Sequence, residues 1–161
     1  MSDRTEIALR KFFEGYNCAQ AVLYAFCDEL SLDADAAFRI AIGFGGGMGG
    51  RGLVCGALTG GTMVIGLKFS MSGSDEKNPK ELVYKKTRAL LKEFESRYGT
   101  VFCNELLEKD CPLIFCDNEK RWDRICVNSV RDVVEIVEKL LMNNTSKPDN
   151  ITNVIQKTDD G

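Results

Sequence analysis

Histidine is absent from this chain. That absence excludes Ser-His-Asp and Cys-His catalysis, mixed cysteine–histidine zinc sites and imidazole ligation of haem or metal. No basic stripe is present either: net charge is −3, the sequence pI is about 5.1, and Lys and Arg are dispersed along helical segments. Nucleic acid is therefore excluded as the expected partner. No long apolar run occurs. The longest, Leu53 to Leu67, is fifteen residues with four glycines and two threonines, so it reads as a buried helix and not a membrane span. The opening Met-Ser-Asp-Arg-Thr-Glu has no apolar stretch behind it, which makes a reducing cytoplasm the expected setting. Acidic and basic residues lie together on polar helical faces and offer no pair for acid–base catalysis.

What is present is a glycine-crowded stretch, Gly43 to Gly52, with seven glycines leading into Cys55 and a small-residue helix. Glycine density of this kind predicts a tightly shaped loop. Gly45, Gly47 and Gly50 match the dinucleotide fingerprint formally, but a helical pattern precedes them and no βαβ unit surrounds them. No Gly-Lys-Ser/Thr follows, so a P-loop is excluded as well.

The remaining chain reads as helices. Residues 3–14 form an amphipathic helix ending at Gly15, and Asn17 caps a second helix carrying Ala19, Val22, Leu23, Phe26 and Leu30. Asp33 or Asp35 caps a third, through Ile42. After Cys55, Gly56 and Gly60 share one helical face with Ala57 and Gly61 beside them, the pattern of a central helix that others approach closely. Residues 70–79 read as a mobile polar linker, 80–98 as a charged helix ended by Gly99, and 105–108 as a short helical piece. Asp117 or Asn118 opens the last helix, on which Trp122, Ile125, Cys126, Val130, Val133, Val134, Val137 and Leu141 recur every three or four residues. No alternating strand pattern appears. The expected fold is all-α: a compact single-domain bundle of about five to six helices over residues 1–142, with a flexible polar tail over 143–161.

Seven cysteines, an odd number, carry the soft chemistry, and none is paired in C-x-x-C spacing. The default for each is a small buried hydrophobe. Cys27, among Tyr24, Ala25, Phe26 and Leu30, fits that default. It lies nine residues beyond Cys18, on the opposite side of one continuous helix at about 100° per residue. Cys126 shares a face with Trp122 and Val130, and Cys111 and Cys116 flank a connection. Cys18 and Cys55 differ, because both fall near predicted helix N-termini, where free N–H groups and the helix dipole favour a thiolate and lower the pKa.

Asn17-Cys18-Ala19-Gln20-Ala21-Val22, the glycine loop running into Cys55-Gly56-Ala57-Leu58-Thr59-Gly60, and then Cys103 and Cys126 resemble the C_GCAxxG_C_C family of bacterial and archaeal redox-active proteins. The resemblance covers roughly residues 10 to 140. It implies that Cys18, Cys55, Cys103 and Cys126 are the four characteristic cysteines, and that members tend to be encoded near transporter genes. Three readings follow. The first is thiol–disulfide exchange at a centre formed by these four thiols, acting through low-pKa thiolates with a redox partner. The second is an electron-transfer or metal module in which the same four hold an iron–sulfur cluster or zinc, with backbone N–H groups of Gly45, Gly46, Gly47 and Gly56 facing the cofactor. The third is an interaction protein with inert buried thiols. Small-residue helix faces also suit a homodimer.

Overall fold

In a computed structural model, the described residues are 2–70, 78–110 and 123–143. They fold as eight α-helices, with no strand among them. The order is α1 (Asp3–Phe13), α2 (Cys18–Tyr24), α3 (Cys27–Leu30), α4 (Ala34–Ala41), α5 (Gly56–Ser70), α6 (Pro79–Tyr98), α7 (Cys103–Asp110) and α8 (Asp123–Met142). The count exceeds the expected five to six for two reasons. The second helix breaks after Tyr24, because Phe26 leaves helical geometry at φ −113° and ψ 4°, and Cys27 starts a separate short helix. The piece expected at 105–108 is a full eight residues. The predicted start of the last helix, Cys111, Cys116, Trp122, and all of the linker and tail beyond their edges lie outside the described residues.

Local chemistry explains the boundaries. Asn17 and Gln20 form a reciprocal capping box: the Asn17 side chain accepts from Gln20 N–H while the Gln20 side chain accepts from Asn17 N–H, both at 3.0 Å. Asp33 caps α4 through Ala36 N–H at 2.8 Å. Gly99, at φ 71°, ends α6 in the left-handed conformation that glycine adopts without steric cost.

Helix α5 is the hub, packed against α2, α6 and α8. Its glycines permit this, and each side serves a different neighbour. A methyl group at Gly60 would stand 2.7 Å from the Ala19 carbonyl oxygen of α2. One at Gly61 would stand 2.8 Å from Val133 of α8 and 3.1 Å from Leu90 of α6. Phe26, Phe69, Phe94, Leu23, Leu58 and Ile65 are fully enclosed around this axis, forming one continuous core. Among the described residues, no helix is long and apolar enough to cross a membrane.

Candidate functional site

The glycine loop runs left-handed. Gly46, Gly47, Met48, Gly49 and Gly50 have φ between 59° and 79°, five consecutive residues in a region that disfavours any Cβ. The turn is closed by long-range backbone bonds, Gly50 N–H to Gly45 O at 3.1 Å, Gly52 N–H to Gly46 O at 3.0 Å and Leu53 N–H to Gly47 O at 3.0 Å. The chain then forms a single antiparallel bridge between Val54 and Phe102. Cys55 N–H donates to Val101 O at 2.9 Å and Cys103 N–H to Leu53 O at 2.7 Å. This pairing sets Cys55 at the start of α5 beside Cys103 at the start of α7.

Cys18, the first residue of α2, and Cys126 on α8 complete the group. All four thiols line one cavity of 380 Å³, whose other walls include Phe12, Tyr16, Leu106, Leu107, Ile125 and Ser129. The Cys18 and Cys126 side chains are near neighbours, and Cys126 is the largest single influence on the Cys18 thiol. Cys27 does not take part: its thiol donates to Leu23 O at 3.7 Å within its own segment. Of the glycines expected near a cofactor, Gly46 and Gly56 line the cavity. Gly45 instead packs against the Asn17 side chain, and Gly47 against the Leu53 backbone and the Cys103 Cβ.

The expectation of low-pKa thiolates does not survive. Cys18 is raised well above the ordinary thiol value, first by the neighbouring Cys126 side chain and then by burial. Burial pushes Cys55 up to about 12 even though its sulfur accepts from the backbone N–H groups of Ala57 and Leu58 at the α5 N-terminus. Burial also raises Cys103, helped by the neighbouring Cys126. The helix ends are where the sequence places them, but loss of water outweighs their field. No cation among the described lining residues compensates. The five described cysteines are all buried and none is bridged.

Single-ion binding finds no ready site: among the described residues no three His, Cys, Asp or Glu side chains are grouped to hold a metal ion. The four sulfurs supply the donor chemistry for a cluster.

Several wall residues escaped sequence reasoning, chiefly Phe12, Tyr16, Leu106, Leu107 and Ser129. Tyr16 is fixed by stacking on Phe38, with the rings nearly parallel and 4.1 Å between centroids, and Tyr24 also stacks on Phe38 at 4.9 Å. Ser129 did leave a signal, being a serine one turn beyond Cys126 in an otherwise apolar helical stripe.

The model of a family described as "Putative redox-active protein (C_GCAxxG_C_C)" matches residues 16–140, which includes all four pocket cysteines. A relative from Archaeoglobus fulgidus, designated "Uncharacterized protein", is 30% identical over 130 residues, covering 76% of this chain and 83% of its own. No solved structure matches the chain significantly.

Proposed function

The chain belongs to the C_GCAxxG_C_C family, and from that premise we propose that its cysteine pocket is a thiol redox centre in which Cys18 and Cys126 cycle between dithiol and disulfide. The observation that carries this reading is that these two thiols, from helices far apart in sequence, are brought together on the wall of one cavity. Oxidation by a disulfide-bearing co-reactant is balanced. One thiol of the pair loses its proton and attacks a sulfur of the co-reactant, forming a mixed disulfide and releasing one thiol. The second then attacks the mixed disulfide, closing the Cys18–Cys126 bond and releasing the other. Two protein thiols are oxidised, and one external disulfide is reduced to two thiols.

The raised pKa of Cys18 makes it a slow nucleophile at neutral pH, so the dithiol persists until a co-reactant enters the pocket. Cys55 and Cys103 line the same cavity and are the candidates to relay exchange from the pair. The test is oxidation with diamide, alkylation of the remaining thiols and peptide mapping without reduction. A Cys18–Cys126 linked peptide, reversed by dithiothreitol, is the expected product. Recovery of both residues as free thiols would refute the reading. The cluster reading is tested separately, by visible absorbance of anaerobically purified protein.

A further inference from the structure

The cavity that holds the thiols is built for an uncharged guest. Among the described residues its lining carries no Lys, Arg, Asp or Glu. The nearby charges are spent elsewhere, since Lys11 pairs with Glu14 at 2.6 Å. Polar wall groups are spent too. The Asn17 amide donates to Ile42 O at 2.9 Å and its carbonyl accepts from Gln20 N–H. A carboxylate, phosphate or ammonium entering here would lose its water and gain no charged partner among the described lining residues.

Ser129 brings a hydroxyl to the same wall. The residue is 1% exposed. A hydroxyl on an otherwise largely apolar cavity wall marks where a ligand's polar atom can be met. Phe12 and Tyr16 contribute aromatic side chains to the same cavity wall, and Leu106, Leu107 and Ile125 contribute aliphatic ones.

We propose that this pocket binds a small, uncharged, ring-shaped carbonyl compound of the quinone class, held by the Ser129 hydroxyl and reduced by the Cys18–Cys126 dithiol. The redox half rests on the reading of the pair given above; the binding half does not. A quinone satisfies each observation: it is neutral and planar, its carbonyl oxygen accepts from Ser129, and it takes up what a dithiol gives. The two thiols lose two electrons and two protons and form one S–S bond. The quinone gains both electrons and both protons and leaves as the hydroquinone.

The probe for binding is tetramethylhydroquinone, which cannot oxidise the thiols, in anaerobic equilibrium dialysis against the reduced full chain. Saturable binding is expected, weakened about fivefold by Ser129→Ala, the loss of one hydrogen bond. Hydroquinone sulfonate, of similar size but charged, should bind at least about tenfold more weakly. No saturable binding, equal binding of the sulfonate, or indifference to Ser129→Ala would overturn the site. Ser129→Thr, which keeps the hydroxyl, should retain more affinity than Ser129→Ala. The probe for reaction is tetramethylbenzoquinone, whose substituted ring resists thiol addition. It should yield one hydroquinone per Cys18–Cys126 disulfide. If diamide bridges the pair and the quinone does not, the quinone assignment falls while the redox centre stands. If neither bridges it, the dithiol reading falls and only the dialysis result bears on the site.

Discussion

Cys55 shows how two local rules compete at one sulfur. The α5 N-terminus offers it two N–H donors, and burial withdraws water; burial wins, and the thiol stays protonated to about pH 12. Because its folded pKa lies above the ordinary 9.0, the native state holds its proton where the unfolded chain has lost it. Stability contributed by the neutral thiol is fully present below pH ~9 and is lost as pH rises toward about 12, at roughly 1.4 kcal/mol per pH unit for one such group. Urea unfolding under reducing, anaerobic conditions should show a midpoint that is flat from pH 7 to 8.5 and falls steeply by pH 10.5. A midpoint indifferent to alkaline pH would contradict the burial argument. The glycine loop makes a second residue-level prediction. Gly47→Ala adds a methyl 2.6 Å from the Leu53 nitrogen at φ 67° and should destabilise by at least about 2 kcal/mol. Gly50→Ala, at φ 79° in open space, should cost only about 1 kcal/mol. Comparable losses in denaturant titrations would mean the loop is not held as tightly as its contacts imply.

At the scale of elements, α5 carries four glycines, and the three in its interior have different jobs. Gly60 and Gly61 let α2 and α8 come close, whereas Gly66 faces nothing within 4 Å. Gly60→Ala should therefore force α2 away and lower stability, while Gly66→Ala should raise it by up to about 1 kcal/mol through helix propensity alone. Thermal melts of the two variants should move in opposite directions. Most elements were legible in the sequence because their determinants are local. Asn17, Asp33 and Gly99 are chemical stops and starts, and the apolar period of α8 needs no partner to be recognised. The break at Phe26 was not legible, since nothing in Tyr24-Ala25-Phe26-Cys27 forbids a helix. The same limit applies to the pocket. Cys18 and Cys55 stood out by their place at helix starts, and Cys103 and Cys126 through the family pattern. Ser129, Tyr16 and Leu107 become wall residues only through the approach of α1, α7 and α8, which no short-range pattern encodes.

For the whole molecule, the pocket joins the N-terminal and C-terminal parts of the bundle. A Cys18–Cys126 disulfide would tie α2 to α8 and close a loop of about 110 residues, which in the chain-entropy description stabilises by about 5 kcal/mol. The oxidised protein should melt roughly 10 °C above the reduced form, measured by calorimetry with and without dithiothreitol. An unchanged or lower melting temperature would indicate that bridging strains the helices. The bridge between Val54 and Phe102 bears on how the bundle is reached as well as on what it is. It joins positions at the start of α5 and just after the end of α6, two helices that pack on each other. Once that helical hairpin has zipped, the chain ends on either side are already neighbours, and the bridge adds little closure entropy. Cys55 and Cys103 should then become shielded together in refolding, in one kinetic phase, after α5 and α6 have docked. Pulsed alkylation during refolding would record the two thiols vanishing from reagent as a pair.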